Sequence, residues 1–129
     1  MKRLTVDSSV IVSSLIENEP RHKQALKIWS TVLAGKNVAI MPYSVFVEVV
    51  AAVRRRTGSQ GLAREVGEHL LKIETVFFVV LDDKSAKDAA EIAVRTGVRG
   101  MDALVLQVVQ DFNTELITFD EEMLKKVSQ

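Results

Sequence analysis

Residues 4–12 read LTVDSSVIV, and this stretch decides the fold class because one acid, Asp7, interrupts an otherwise apolar run. The residues just before the acid, Arg3 to Val6, have the composition of a short buried strand. Ser8 or Ser9 can cap a helix that follows directly. The stretch therefore predicts a strand that turns at once into a helix, with Asp7 at the junction.

The rest of the chain continues this alternation of strands and helices. Glycines that stop helices, and Pro42 in a first helical turn, mark several boundaries. We predict an α/β sandwich with a mostly parallel sheet, in a single domain over residues 1–129. Because Val76 to Leu81 is continuously apolar, we expect that strand to be covered on both faces. The predicted strands are Arg3 to Val6, Val38 to Met41, Val76 to Leu81 and Glu115 to Phe119, and the predicted helices are one ending at Ile16, His22 to Ala34, Pro42 to Arg56, Ser59 to Ile73, Lys84 to Thr96, Asp102 to Phe112 and Glu121 to Val127.

The composition excludes several kinds of site. Hydrophobic residues make up 47% of the chain, which is ample for one core. Lys plus Arg and Asp plus Glu both number 17, so the net charge is zero, and the whole surface is not suited to tight duplex binding. The absence of cysteine removes disulfides, thiolate zinc sites and cysteine nucleophiles. The N-terminal residues resemble neither a signal peptide nor a membrane span, so we expect a cytoplasmic protein.

Four carboxylates lie inside apolar stretches, and together they point to a metal site. They are Asp7 in LTVDSSVIV, Glu48 in SVFVEVVAAV, Asp102 in GMDALVLQVV and Asp120 in LITFDEEM. Glu48 is the hardest to explain as a structural residue, because no basic residue lies within one helical turn of it. An ionised carboxylate in such surroundings must be paired, bound to a cation or protonated.

Two of these acids are expected at one edge of the sheet. Asp7 and Asp120 follow or end predicted strands, and sites in parallel sheets form beyond the carboxyl ends of the strands. Structural roles stay open for each acid taken singly. Asp7 and Asp120 can cap helices, and Asp102 can complement a helix dipole. Glu48 can pair with a distant lysine. A shared cleft explains all four at once.

With these acids in this order, the chain resembles the PIN-domain ribonucleases, and most closely the small VapC-type toxins of prokaryotic toxin–antitoxin pairs. The pieces that carry the resemblance are VDSS, SVFVEV, GMDALV and TFD. It implies a three-layer α/β/α PIN-like domain with a mostly parallel sheet of four or five strands. It also implies an endoribonuclease that depends on Mg²⁺ or Mn²⁺, hydrolyses RNA, forms homodimers and is held inactive by a cognate antitoxin.

The resemblance also assigns roles to particular residues. Mg²⁺ prefers oxygen ligands, which the embedded acids supply. Ser9 and Thr118 become supporting hydroxyls that fix carboxylate rotamers. The metal-binding and catalytic residues become Asp7, Asp102 and Asp120 as principal ligands, with Glu48 as a further ligand or as a group that orients water.

Candidate RNA contacts are fewer. Arg95 and Arg99 lie close in sequence to Asp102, and we expect them to contact phosphates. The run from Arg54 to Arg56 fits a solvated helix end, favoured by the helix dipole, better than an RNA clamp.

Other functions fit the sequence less well. A haloacid-dehalogenase-like phosphatase needs a second acid two residues after the first, where this chain has Ser9. A phospho-acceptor receiver domain needs an acidic pair at the end of its first strand, where Asp7 stands alone. A non-catalytic or housekeeping PIN-fold protein that binds or processes RNA remains the alternative.

Overall fold

The computed structural model describes residues 1–127, which form four strands and seven helices. The sequence predicts the kind and order of these elements, and the predicted boundaries agree with the observed ones within two residues. No helix within residues 1–127 has the length and hydropathy needed to cross a membrane. The elements are β1 (Lys2–Val6), α1 (Ser8–Leu15), α2 (His22–Leu33), β2 (Asn37–Pro42), α3 (Tyr43–Thr57), α4 (Gln60–Lys72), β3 (Val76–Val79), α5 (Asp83–Thr96), α6 (Gly100–Phe112), β4 (Glu115–Ile117) and α7 (Glu121–Val127).

The strands form one parallel sheet in the order β3-β2-β1-β4. Leu4 of β1 pairs with Ala39 of β2 on one side and with Glu115 of β4 on the other. The chain adds β2 and β3 on one side of β1 and then crosses to the other side for β4. Sites in such sheets lie beyond the carboxyl ends of the strands, where the order reverses. The predicted parallel sheet is confirmed, with four strands in the described range.

The core lies between the sheet and the helices that cover it, in the predicted three-layer α/β/α arrangement. Val6 and Met41 of the two inner strands are fully buried. In α3, Val45, Val49 and Val53 are buried at a spacing of four residues, which defines the core-facing side of that helix. Glu48 lies just off this face, so it is partly buried at the margin of the core.

Helix ends follow local chemistry, with one difference from prediction. Gly58 and Gly97 end α3 and α5 with φ of 70° and 74°, in the left-handed conformation that favours glycine. The cap of α1 is Asp7, whose carboxylate accepts the backbone N–H of Ser8. The prediction that Ser8 or Ser9 caps this helix is wrong, because both serines already lie inside it.

Strand β3 differs from its prediction in length and in burial. It ends at Val79 rather than Leu81, and β2 is its only neighbour in the sheet formed by residues 1–127. Phe77 is 52% exposed, and Val80, just beyond the strand, is 68% exposed. The expectation of a strand covered on both faces is therefore wrong, because a continuous apolar run does not distinguish an edge strand from a central one.

Candidate active site

Asp7 lies at the carboxyl end of β1, and three donors hold its side chain. The residue is 8% exposed. One carboxylate oxygen accepts the backbone N–H of Ser8 at 2.9 Å. The other accepts the Thr118 hydroxyl at 2.9 Å and the Ser9 hydroxyl at 3.2 Å. Hydrogen bonds from the two residues that follow Asp7 and from the distant Thr118 therefore fix the rotamer of this carboxylate.

Glu48 reaches the same region from α3. Burial raises the pKa of the Glu48 carboxyl, and the negative charge of Asp7 raises that pKa further. A hydrogen bond with the Ser8 side chain acts in the opposite direction, and Asp102 and Arg55 make smaller contributions of opposite sign. Ser8, at the start of α1, is thus the group that lowers this pKa most. No lysine or arginine of residues 1–127 forms an ion pair with Glu48 within 4.0 Å.

Asp102 lies in the first turn of α6, where it is partly buried. Burial raises the pKa of the Asp102 carboxyl, and the charges of Asp7 and Asp120 raise it further. Arg99 is the nearest basic partner, with its Nε 4.0 Å from an Asp102 oxygen, and its side chain is 86% exposed. An exposed ion pair at that distance contributes little, so burial and the acidic neighbours keep the pKa of Asp102 raised.

Asp120 follows β4 after two residues and caps α7, because its carboxylate accepts the backbone N–H of Met123 at 3.1 Å. The Thr118 hydroxyl links this acid to the first one. It accepts the backbone N–H of Asp120 at 3.1 Å and donates to Asp7 at 2.9 Å. Thr118 therefore positions the backbone of one acid and the side chain of another.

All four acids line one cleft of about 890 Å³ at the carboxyl edge of the sheet. We call it the acidic cleft. Asp7, Asp102 and Asp120 come from the ends of elements that meet where the strand order reverses, and Glu48 enters from the side of α3. The structure thus brings together the acids that the sequence singled out. Their roles as metal ligands and catalytic groups stay predictions.

The donors of the acidic cleft fit a hard divalent cation in their chemistry. Carboxylate oxygens are the preferred ligands of Mg²⁺ and Mn²⁺, and a cation would relieve the repulsion among the four acids. Within residues 1–127, no group of three or more His, Asp or Glu side chains is already arranged to hold an ion. Mg²⁺ does not require such a group, because it commonly takes one or two carboxylates and completes its shell with water and substrate oxygens.

The two predicted RNA contacts lie in different places. Arg99 lines the acidic cleft together with Gly100 and Met101. Arg95 is exposed in the last turn of α5 and does not line that cleft. Whether either arginine contacts RNA stays a prediction.

Sequence reasoning missed two residues of the site. Ser8 and Phe119 both line the acidic cleft, and Ser8 also lowers the pKa of Glu48. Ser8 is the third residue of the VDSS segment, but no spacing in the sequence connects it with a helix forty residues later. Phe119 was expected to belong to β4, whereas the strand ends at Ile117 and the ring is left at the cleft.

The fold and the cleft together define an α/β/α protein with an acidic site at the carboxyl edge of a parallel sheet. The family model described as PIN domain matches residues 4–128, so the chain belongs to the PIN domain family. This confirms the family that the four acidic segments predict. No curated protein matches the chain.

Two solved structures have a similar fold. VapC20 of Mycobacterium tuberculosis, described as a sarcin-ricin loop cleaving toxin, matches with a TM-score of 0.79 at 19% sequence identity, over 95% of this chain and 93% of that chain. A toxin–antitoxin complex from Klebsiella pneumoniae matches with a TM-score of 0.61 at 18% identity, over 93% of this chain and 87% of that chain. At these identities the likeness establishes the fold alone.

Proposed function

We propose that this PIN-domain protein is a metal-dependent endoribonuclease that hydrolyses phosphodiester bonds in RNA. The observation that carries the proposal is the convergence of four carboxylates in one cleft, where burial and mutual repulsion raise the pKa of Glu48 and that of Asp102. Repulsion among these carboxylates destabilises the folded protein when no cation is bound. A site that binds a cation explains why the acids nevertheless lie together. Mg²⁺ or Mn²⁺ matches the oxygen donors.

The residues of the cleft prepare this chemistry. A bound divalent ion lowers the pKa of water and neutralises charge that develops on the phosphate. Ser9 and Thr118 hold Asp7 in one rotamer, and Ser8 favours the charged form of Glu48. Glu48 faces the same cleft as Asp7, so its carboxylate can hold the ion or orient the attacking water. Hydrolysis of this kind needs no covalent nucleophile.

The toxin role rests on the family and on the two solved structures. One is described as a toxin that cleaves the sarcin-ricin loop, and the other as a toxin–antitoxin complex. We propose that the present chain is the toxin of such a module, acts in the cytoplasm, and is inhibited by a cognate antitoxin.

A homodimer is proposed on the same grounds, and one exposed surface supports it. Val47 of α3 is 59% exposed. Phe46 and Val50 of α3 and Ala63 of α4 line the same surface. Contiguous apolar helix surface of this kind favours association. Light scattering should give twice the mass of the chain, and a monomer would reject the dimer without affecting the nuclease proposal.

The nuclease proposal is tested with purified protein on single-stranded and structured RNAs, with Mg²⁺, with Mn²⁺ and with excess chelator. We expect metal-dependent cleavage that is lost in Asp7→Asn and in Asp102→Asn. Asp111→Asn is the matched control, because Asp111 is an exposed acid of the same helix as Asp102 and lies outside the cleft. Cleavage that persists in chelator or in either cleft variant rejects the assignment.

The toxin role needs a separate test. Induced expression of the wild-type chain should arrest growth, and expression of the Asp7→Asn variant should not. Normal growth with the wild-type chain would reject the toxin role while leaving the nuclease proposal intact. A short reading frame next to the gene, whose product restores growth when both are expressed, would identify the antitoxin.

A further inference from the structure

A second cavity opens beside the acidic cleft and carries arginines. Its volume is about 530 Å³. Four residues line both cavities and form the boundary between them, namely Ser8, Ser9, Glu48 and Phe119. We call the second cavity the basic lobe, because the arginines that line it are Arg21, Arg55 and Arg56.

One wall of the basic lobe is a face of α3. Glu48 and Arg55 are seven residues, or about two helical turns, apart, so both side chains project from the same face. Ala51 and Ala52 lie between them, and their small side chains leave the groove open. No carboxylate of residues 1–127 forms an ion pair with Arg55 within 4.0 Å. The groove thus runs from an acid of the cleft to an arginine that has no ion-pair partner within 4.0 Å among the described residues.

Arg21 lines the basic lobe from the loop between α1 and α2. Its guanidinium carbon lies 4.9 Å from the centroid of the Phe119 ring, and the guanidinium donates to the Phe119 carbonyl at 3.5 Å. These contacts fix a cation against a ring that borders both cavities. Arg21 also lacks an ion pair within 4.0 Å in the part of the chain that the structure describes.

Arg56 differs from the other two arginines. It forms an ion pair with Glu19, which lies on the same loop as Arg21. The pair neutralises Arg56 and ties this loop to the end of α3. The basic lobe therefore presents two cations, Arg21 and Arg55, that stay unpaired although acids lie in the adjoining cleft. An anionic ligand that spans both cavities explains this arrangement better than stability does.

We propose that the basic lobe binds the RNA strand next to the cleaved bond, with Arg21 and Arg55 on backbone phosphates and the Arg21–Phe119 pair against an unpaired base. The proposal rests on the nuclease function proposed above and names the surface that holds its substrate. Because the net charge of the chain is zero, binding of a polyanion depends on local cations such as these. Guanidinium and aromatic planes are common supports for unpaired bases.

The dimensions of the basic lobe favour an unpaired strand. A cavity of about 530 Å³ has the size of a small-ligand pocket. Residues of the loop that carries Arg21 and residues of α3 both line it. Unpaired nucleotides can enter such a space and continue into the acidic cleft, whereas a duplex would stay outside.

The test separates binding from cleavage. A fluorescein-labelled single-stranded RNA of mixed sequence is titrated with protein in EDTA, and anisotropy is measured at several salt concentrations. We expect Arg55→Ala and Arg21→Ala each to weaken binding by about tenfold. Each should also reduce the slope of log affinity against log salt by about 0.7, the value for one phosphate contact on a single strand.

Arg54→Ala is the matched control. It removes the same charge one residue earlier, but Arg54 lines the surface between α3 and α4 rather than the basic lobe. We expect it to bind RNA as the wild-type chain does. Arg55→Lys and Arg21→Lys keep the charge and should restore most of the salt dependence. Thermal unfolding shows whether Arg21→Ala has loosened its loop, and in that case Arg55→Ala decides the test.

Two results overturn the proposal. One is equal RNA binding by Arg55→Ala, Arg21→Ala and Arg54→Ala, and the other is no RNA binding by the wild-type chain. Metal-dependent cleavage that is lost in Asp7→Asn but unchanged in Arg55→Ala would preserve the nuclease and reject the basic lobe. RNA binding that needs both arginines, in a protein that cleaves no RNA, would preserve the basic lobe and reject the nuclease.

Discussion

Substitutions at Asp7 separate the structural role of its carboxylate from the role of its charge. Asp7→Ala removes the cap of α1 and leaves the hydroxyls of Ser9 and Thr118 without their acceptor. Asp7→Asn keeps the shape of the side chain and an oxygen that can cap the helix, because Asn and Asp are equally good caps. It removes the charge that raises the pKa of both Glu48 and Asp102.

The expected magnitudes follow from these contacts. Loss of the cap costs about 1 kcal/mol, and loss of each hydroxyl contact costs about 1 kcal/mol more. Relief of the repulsion on Glu48 and Asp102 offsets part of this loss. We expect Asp7→Ala to lower the free energy of unfolding by roughly 2 kcal/mol, which is roughly 8 °C in melting temperature for a chain of this size. Asp7→Asn should stay within about 1 kcal/mol of the wild-type chain.

The assay is thermal and denaturant unfolding of the metal-free protein, run beside RNA cleavage. Both variants should lose cleavage, and only Asp7→Ala should lose stability. A variant Asp7→Asn that unfolds as easily as Asp7→Ala would refute the reasoning, because charge rather than hydrogen bonding would then support the fold. Wild-type stability in Asp7→Ala would refute it equally.

Three further expectations concern the cleft and the packing of α3. At pH values between the ordinary carboxyl pKa and the raised values, the folded protein keeps protons at Glu48 and Asp102 that the unfolded chain has released. The stability of the metal-free protein should therefore fall as pH rises through this range. Glu48→Gln should flatten that decline in denaturant unfolding, and an unchanged pH profile would contradict the pKa directions. Mg²⁺ or Mn²⁺ should raise the melting temperature of the wild-type chain more than that of Asp102→Asn, whereas equal shifts would place the ion elsewhere. A Cβ at Gly67 would lie 3.2 Å from Val50, so Gly67→Val should cost about 2 kcal/mol in chemical unfolding, while Gly61→Val on the exposed side should cost little; equal losses would contradict this packing.

Local signals in the sequence account for most of the fold. The spacing of hydrophobic residues predicts the helices. Glycines such as Gly58 and Gly97 end them in the left-handed conformation, which is unfavourable for most other residues. The burial of β3 is not predictable in the same way. Its apolar run is compatible with a central or an edge strand, and strand order depends on where the connecting helices pack.

The acids of the site are recognisable because charge inside an apolar stretch is costly wherever the chain folds. The residues that surround them depend on contacts between distant segments. The run from Arg54 to Arg56 illustrates this limit, since successive helical residues point about 100° apart. Arg54 lines the surface between α3 and α4, Arg55 lines the basic lobe, and Arg56 pairs with Glu19. The sequence shows three equivalent arginines, and only the fold distinguishes them.

Anomalous diffraction from crystals grown with Mn²⁺ tests the central claim most directly, because it locates the ion independently of activity. We expect the strongest peak in the acidic cleft, about 2.0 to 2.3 Å from an oxygen of Asp7 and from an oxygen of Asp102 or Asp120. A cleft without a peak at saturating Mn²⁺, or a peak bound only by acids elsewhere on the surface, would contradict the account.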